Sequence, residues 1–185
     1  ISGLFKGKKI LEPKNLRTRP LKDLTKESIF NIICHSDKFK ILLNEANILD
    51  VFSGVGSFGL ECLSRGAKNV IFIENYSEVL TILKKNLFNL KTIGNYEIIE
   101  KNAYEINTLN KINKKFDIIF LDPPYKDDNI NSLLNNILKE NILTSNGIII
   151  LHRHKEIKDK IPLNLKIIEE KKYGISKIIF LTLLN

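Results

Sequence analysis

Short apolar runs alternate with amphipathic stretches from about residue 46 to the end of the chain. Within residues 77–90 the apolar positions recur every three or four residues, with Lys84 and Lys85 on the other side, which is the period of a helix. Repeated alternation of apolar runs with such helices is typical of a layered α/β fold. The apolar runs predict seven strands: Ile48 to Phe52, Val70 to Glu74, Tyr96 to Glu100, Phe116 to Leu121, Gly147 to Leu151, Leu165 to Glu169 and Ile175 to Leu181. The stretches between them predict five helices: Phe58 to Arg65, Ser77 to Leu90, Tyr104 to Leu109, Asn129 to Glu140 and Glu156 to Lys160.

The direction of the strands follows from their composition and their connections. The early strands are continuous apolar runs, as expected for parallel strands that are covered on both faces. The last two are joined by the short stretch Lys171-Lys172-Tyr173-Gly174, which fits a hairpin. We therefore expect a seven-stranded, mostly parallel sheet that ends in an antiparallel strand.

The first 45 residues do not follow this alternation. Leu21 to Ser36 predicts an amphipathic helix, and Pro20 prevents it from starting earlier. Residues 3–12 predict a small β element. We expect residues 1–45 to form an N-terminal extension and residues 46–185 to form the main domain, which a chain of 185 residues can accommodate.

Charge distinguishes this extension from the rest of the chain. The chain has 29 basic and 21 acidic residues, a net charge of +8. Residues 1–26 hold eight of the cations and two of the anions, a net charge of +6, which leaves +2 for all the others. Such clustering favours an N-terminal arm that contacts phosphates over a merely solvated, lysine-rich tail.

Composition also excludes several classes of protein. With 43% hydrophobic and 27% charged residues, the chain is globular and not disordered. No apolar run approaches the roughly 18 residues of a membrane span, and no signal peptide is visible, so we expect a cytoplasmic protein with no membrane contact. Cys34 and Cys62 lie in apolar helical segments without ligand spacing, which predicts two buried thiols and no metal site.

The first chemical motif is a glycine-rich turn after the first predicted strand, Asp50-Val51-Phe52-Ser53-Gly54-Val55-Gly56-Ser57-Phe58-Gly59. Glycines let a ligand approach the main chain, and Glu74 at the end of the next strand can accept hydrogen bonds from ribose hydroxyls. Both features also fit an NAD-binding protein. Asp50 is more discriminating, because a carboxylate within an apolar strand would repel a pyrophosphate but attract the ammonium group of S-adenosylmethionine. It could also accept backbone N–H groups of the turn.

The second motif, Asp122-Pro123-Pro124-Tyr125, directly follows the apolar strand Phe116 to Leu121. In open α/β sheets, ligands bind at this end of the strands. The prolines fix a rigid turn that presents the Asp122 carboxylate and the Pro123 carbonyl as adjacent acceptors, with the Tyr125 ring beside them. Two acceptors and an aromatic face suit the exocyclic amine of a flipped nucleobase.

With these motifs the sequence closely resembles the class I, Rossmann-like amino-methyltransferases that use S-adenosylmethionine. Among them it is most similar to the bacterial RsmD-like family, which methylates the N2 amine of a guanine in small-subunit (16S) ribosomal RNA. The resemblance runs nearly end to end. Its elements are Gly3 to Ile10, Thr18-Arg19-Pro20 with Lys26 to Asn31, Asp50 to Gly59, Leu63 to Ala67, and Asp122 to Tyr125.

Two positions depart from the pattern of that family. The family usually has Asp at the end of the third strand, where it meets the adenine amine, and this chain has Asn102. An amide oxygen can still accept from that amine. The usual Arg-Pro-Thr is Arg19-Pro20-Leu21 here, so the hydroxyl is missing.

The resemblance implies a role for each candidate residue. The catalytic residues would be Asp122, Pro123 and Tyr125. The residues that bind S-adenosylmethionine would be Asp50, Phe52, Ser53, Gly54, Gly56, Gly59, Glu74, Asn102 and Ala103. The residues that bind RNA would be Lys8, Lys9, Arg17, Arg19 and Pro124. The partner would be ribosomal RNA, free or within an assembling or assembled small subunit, and the enzyme would act as a monomer and use no metal.

Two other functions compete with this interpretation. A DNA adenine or cytosine amino-methyltransferase shares the tetrapeptide, but only about 45 residues remain outside the core for reading a duplex sequence. An NAD-dependent oxidoreductase accounts for the glycine turn alone. The histidines are far from both motifs in sequence, and His152-Arg153-His154 predicts a strand end with solvated or phosphate-facing side chains.

Overall fold

The computed structural model describes residues 2–13, 21, 23–90 and 94–184. A seven-stranded sheet has the order β3-β2-β1-β4-β5-β7-β6. Its strands are β1 Asn47–Val51, β2 Asn69–Ile73, β3 Tyr96–Ile99, β4 Phe116–Leu121, β5 Leu143–His154, β6 Leu165–Tyr173 and β7 Ser176–Leu183. The first five strands are parallel, and β7 runs antiparallel to both β5 and β6. The predicted fold class is confirmed.

Helices cover both faces of this sheet. They are α1 Asp23–His35, α2 Ser57–Ser64, α3 Ser77–Asn89, α4 Ile106–Leu109 and α5 Ile130–Lys139. Alternate residues of each strand point to opposite faces: Ile48 belongs to the core under α1, α2 and α3, and Leu49 belongs to the core under α4 and α5. Burial on both faces explains why the parallel strands are continuous apolar runs.

The N-terminal extension packs on the first of these cores. Phe30 of α1 stacks on Phe58 at 5.3 Å between ring centroids, and Phe58 stacks on Phe120 of β4 at 4.1 Å. Residues 2–13 contain a single 3-10 turn, Gly3–Phe5, and no strand, so the predicted small β element is wrong. The main chain of this segment bonds to side chains of the core instead, as when the Phe5 N–H donates to Ser64 Oγ at 3.0 Å.

Three further predictions are corrected. Residues 156–160 form no helix, because the short connection between β5 and β6 is held by turns and an ion pair. Strand β5 is much longer than predicted, since residues 143–146, too polar to resemble a strand, continue it. Cys62 is buried as expected, but Cys34 is exposed because it lies on the outer side of α1.

Two kinds of feature are absent from the described residues. None of their helices is long and apolar enough to cross a membrane. They also contain no group of three or more His, Cys, Asp or Glu side chains that could hold a metal ion.

Candidate active site

A cavity of about 570 Å³ lies at the carboxyl ends of β1, β2, β4 and β5. Its lining includes residues of both predicted motifs, together with others that the sequence analysis did not select. From the motifs come Asp50, Phe52, Ser53, Gly54, Glu74, Asp122, Pro123, Pro124 and Tyr125. The parallel strands explain this meeting, because their carboxyl ends share one edge of the sheet.

The glycine-rich turn takes a backbone conformation that depends on glycine at Gly56. Its φ is +86°, and a Cβ there would lie 2.5 Å from the Leu83 side chain. Gly59, in the first turn of α2, packs so closely on Phe72 that a Cβ would lie 2.3 Å from the ring. At Gly54 the φ is +55° and a Cβ would meet nothing within 4 Å, which leaves the main chain of the turn open on the cavity side.

Asp50 is almost completely buried beside this turn, with 1% of its surface exposed. Its Oδ2 accepts a hydrogen bond from the Gly59 N–H at 2.9 Å, while its Oδ1 is buried without a partner among the described residues. Burial raises the pKa of Asp50 to about 8, the Gly59 hydrogen bond opposes the rise, and the charges of Asp122 and Glu74 add to it. A cationic group bound in the cavity would satisfy Oδ1 and lower this pKa.

Glu74 buttresses the same turn from the end of β2. Its Oε2 accepts the Gly54 N–H at 2.8 Å, and its Oε1 accepts the N–H groups of Asn75 and Tyr76, each at 2.9 Å. Oε1 therefore accepts two donors, whereas Oε2 has a further lone pair with which Glu74 can receive a hydroxyl donor from the cavity.

The Asp122-Pro123-Pro124-Tyr125 tetrapeptide lies opposite the glycine turn. Oδ1 of Asp122 is 2.7 Å from Nδ1 of His152, whereas no described residue donates to Oδ2 of Asp122 or to the Pro123 carbonyl. The Tyr125 hydroxyl is 3.2 Å from Ser176 Oγ. The Tyr125 ring meets His152 and His154 edge-on, at centroid distances of 6.2 and 5.6 Å.

Sequence analysis missed the contribution of β5 to this site. His152 and Arg153 are buried, with 7% and 0% of their surface exposed, so the prediction of solvated or phosphate-facing side chains is wrong for both. His152 lines the cavity, and Arg153 donates to the carbonyls of Pro124 and Asp127. The sequence contains half of the signal, since Asp122 and His152 each directly follow an apolar run, but the pairing of β4 with β5 in the structure is what brings them together.

Some of the predicted site residues lie elsewhere. Asn102 and Ala103 are not among the residues that line the cavity. The Asn102 Oδ1 accepts the Tyr104 N–H at 3.0 Å, and Ala103 is buried in the core under α4 and α5, so their contact with adenosine stays a prediction.

The predicted RNA-binding cations are only partly described. Lys8 and Lys9 are exposed, with the Lys8 Nζ 5.3 Å from the centroid of the Phe5 ring. Arg17 and Arg19 lie outside the described residues. Pro13 and Leu21, the nearest described residues on either side of them, both line the cavity.

Comparison with known proteins identifies the family. Residues 1–182 match the model of the family described as conserved hypothetical protein 95, the RsmD family. The chain belongs to this family. A relative named ribosomal RNA small subunit methyltransferase D, from Haemophilus influenzae, is 32% identical over 95% of this chain and 88% of its own length. Another of that name, from Buchnera aphidicola subsp. Baizongia pistaciae, is 36% identical over 93% and 85%. The solved structure of the yhhF protein of Escherichia coli is 29% identical, with a TM-score of 0.83 over 99% of this chain and 96% of that one.

Membership of the RsmD family decides the cofactor, because this is a family of S-adenosylmethionine-dependent methyltransferases. The chain is therefore a methyltransferase and not a nicotinamide-dependent oxidoreductase. Its residues fit S-adenosylmethionine: the unpartnered Oδ1 of Asp50 suits the ammonium of the methionine end, and the open main chain at Gly54 leaves room beside it.

Proposed function

We propose that this methyltransferase transfers a methyl group to the exocyclic N2 amine of a guanine in small-subunit ribosomal RNA. One observation carries the proposal. Oδ2 of Asp122 and the carbonyl of Pro123 are two acceptors without a donor among the described residues, at the edge of the cavity that holds the unpartnered Asp50 oxygen. An aromatic primary amine has two N–H groups to give to such a pair.

The relatives support ribosomal RNA as the substrate. Two of them, each covering more than nine-tenths of this chain, are named as small-subunit ribosomal RNA methyltransferases. The charge of the chain agrees, since three quarters of its net +8 lies within residues 1–26. Positive charge concentrated in this way favours a phosphate backbone over a small neutral substrate.

The residues of the cavity would divide the work of binding between them. Asp50 would hold the methionine ammonium, the main chain at Gly54 and Gly56 would lie along the methionine, and Glu74 would hold the ribose hydroxyls. When bound, S-adenosylmethionine would supply a sulfonium methyl group for transfer to the amine, with S-adenosylhomocysteine as the leaving group.

The tetrapeptide would orient the nucleophile. Asp122 Oδ2 and the Pro123 carbonyl each accept one N–H of the amine, which aims its lone pair at the methyl group. The carboxylate also disperses the positive charge that develops on the nitrogen, and accepts the proton that the methylated amine must lose. Stacking on the Tyr125 ring would hold the flipped base in plane with these acceptors.

Methyl transfer onto purified small-subunit RNA and onto assembled small subunits tests the proposal, with mass spectrometry of the digested nucleosides as the readout. We expect N2-methylguanosine as the product. N6-methyladenosine, methylcytidine or an equal rate on duplex DNA would contradict the assignment.

Asp122→Ala identifies the site within this assay. It removes an acceptor that acts on the amine but leaves the glycine turn intact, so turnover should fall by at least about 100-fold while S-adenosylhomocysteine binds as before. A variant that methylates at nearly the normal rate would place the chemistry elsewhere.

A further inference from the structure

The end of β5 brings a histidine against the carboxylate of the tetrapeptide. Strands β4 and β5 pair in parallel with Leu121 opposite Leu151, so the next residues along the two strands, Asp122 and His152, lie side by side. The two side chains meet at 2.7 Å between Nδ1 and Oδ1 and are 8% and 22% exposed for His152 and Asp122 respectively. A hydrogen bond to an ionised carboxylate that is this short and this shielded from water is among the stronger ones a protein makes.

The surroundings of His152 determine which of its nitrogens carries a proton. An ionised carboxylate can only accept, so the hydrogen of this bond sits on Nδ1. The other ring nitrogen, Nε2, is buried and has no partner among the described residues. The geometry therefore makes Nδ1–H the donor of the bond to Asp122.

One oxygen of Asp122 is occupied by this hydrogen bond, and the other is available to the substrate. A carboxylate on a free χ2 torsion rotates broadly, and a bond to Oδ1 fixes that rotation. Oδ2, to which no described residue donates, is then held in one orientation. We propose that His152 is a positioning residue for methyl transfer, whose Nδ1–H holds Oδ1 of Asp122 so that Oδ2 meets the substrate amine. This inference rests on the proposed function.

A different residue of β5 holds the main chain of the tetrapeptide in place, so His152 is not needed for that purpose. Arg153, on the opposite face of the same strand, donates to the carbonyls of Pro124 and Asp127 and pairs with Asp159. Because Arg153 already holds the loop, what remains for His152 is the direction of the Asp122 carboxylate.

Two substitutions distinguish the effect of the hydrogen-bond donor from the effect of the size of the imidazole ring. His152→Leu keeps an apolar side chain of similar size but removes the donor, whereas His152→Asn can return an N–H group close to the position of Nδ1–H. We expect the single-turnover rate of His152→Leu to fall by roughly 10- to 100-fold, the loss that a small misplacement of a reacting group causes. His152→Asn should recover to within about threefold of the parent by the same reasoning.

The remaining kinetic readouts exclude a merely structural effect. Both variants should bind S-adenosylhomocysteine with the affinity of the parent and show its KM for RNA, since His152 acts only on the carboxylate that orients the amine. The inference is overturned if His152→Leu turns over like the parent, if His152→Asn falls as far as His152→Leu, or if cofactor affinity falls in parallel with the rate.

A spectroscopic test does not depend on activity at all. The chain has three histidines, so the ¹⁵N signals of the imidazole rings can be assigned by removing one ring at a time. His152 should show a proton on Nδ1, and Asp122→Ala should abolish this signature while leaving His35, on α1, unchanged. A signature that Asp122→Ala does not alter would overturn the inference.

The outcomes for the inference and for the proposed function remain distinct. If the parent methylates no guanine, the proposed function fails, and the ¹⁵N measurement still reports on the bond between His152 and Asp122. If the parent methylates guanine and His152→Leu does so at the same rate, the inference alone fails.

Discussion

Asp50 has two unusual properties for a buried side chain: one of its carboxyl oxygens has no partner among the described residues, and its pKa is raised to about 8. In the absence of a ligand, burial favours its protonated form. An ammonium group at Oδ1 reverses this preference, because the attraction between opposite charges stabilises the carboxylate. If Asp50 holds the methionine ammonium, as proposed, binding of the cofactor and loss of the Asp50 proton are coupled.

This coupling predicts that S-adenosylhomocysteine, which carries the same ammonium, binds more tightly as the pH rises towards 8. The affinity should rise by up to about tenfold per pH unit, since one proton leaves as the ligand binds. Calorimetry in two buffers of different ionisation enthalpy would measure the released proton near pH 7. A pH-independent affinity in the parent protein would contradict the role given to Asp50.

Asp50→Asn is the control for this measurement. It should bind S-adenosylhomocysteine more weakly, with a flat pH dependence and no proton release. Its stability without ligand should also change in a defined way. The Asp50 pKa is raised on folding, so in the parent its contribution to stability is complete below about 3.8 and is lost as the pH rises towards 8, and the variant should lack this loss.

Tyr125 offers a second prediction at this scale, because its ring and its hydroxyl have different contacts. If the ring stacks on the flipped base, Tyr125→Ala should weaken RNA binding by about 1 to 3 kcal/mol. Tyr125→Phe keeps the ring, removes the contact of the hydroxyl with Ser176 Oγ, and should cost much less. Equal losses in filter-binding measurements of the two variants would assign the effect to the hydroxyl instead.

At the scale of secondary structure, the loop after β4 depends on a buried ion pair supplied by the end of β5. Arg153 is fully buried, and its Nε and a terminal nitrogen lie 3.0 and 2.9 Å from the two oxygens of Asp159. The guanidinium also donates to the carbonyls of Pro124 and Asp127. Every group in this arrangement has a partner, which is the condition under which a buried charge is tolerated.

Arg153→Leu should therefore destabilise the protein by roughly 3 to 5 kcal/mol, because it leaves the Asp159 charge buried and unpaired. The double variant Arg153→Leu/Asp159→Leu should regain much of this stability. It should still turn over slowly, since the carbonyls of the loop have lost their donor. Urea denaturation measures the first effect, and a double variant no more stable than Arg153→Leu would show that the unpaired charge is not the cause.

Local sequence patterns predicted the helices and strands of this fold well, but they predicted the contacts between the ends of these elements poorly. The β4 prediction, Phe116 to Leu121, matches the structure because that strand is an uninterrupted apolar run with one exception, Asp117. The prediction for α3 differs from the structure by one residue, because this helix has a clear helical period. The extra length of β5 was missed because residues 143–146 include polar ones, and these are ordered by pairing near Phe116 of β4. Tertiary pairing, not propensity, determines that segment.

The candidate site, too, was predicted only where its residues lie in a recognisable local pattern. An acidic residue is unusual within an apolar run or directly after one, and this pattern selected Asp50, Glu74 and Asp122. All three line the cavity. His152 and Arg153 were not selected, because their importance arises from the adjacency of β4 and β5, which no spacing along the chain encodes. Parallel neighbours can be far apart in sequence, and here 30 residues separate Asp122 from its partner.

At the scale of the whole molecule, the basic N-terminal segment also borders the cavity. Asn86 of α3 accepts the Leu11 N–H at 2.8 Å and donates at 3.1 Å both to the Leu11 carbonyl and to that of Val55 in the glycine turn. Pro13 and Leu21 line the cavity itself. Deleting the first 26 residues would thus disturb the cavity and expose the core beneath α1, so substitutions of single charges are the better test of the arm.

The last prediction concerns the salt dependence of RNA binding. If Lys8 and Lys9 each contact a phosphate, Lys8→Gln/Lys9→Gln should lower the slope of log affinity against log salt by about 1.5 to 2, because each contact releases a counterion. Arg17→Gln/Arg19→Gln should act in the same way. The matched control is Lys114→Gln/Lys115→Gln, which removes the same charge just before β4, at the edge of the sheet opposite the cavity. If all three variants shift the slope equally, RNA responds only to net charge, whereas a shift confined to the first two assigns phosphate contacts to the arm.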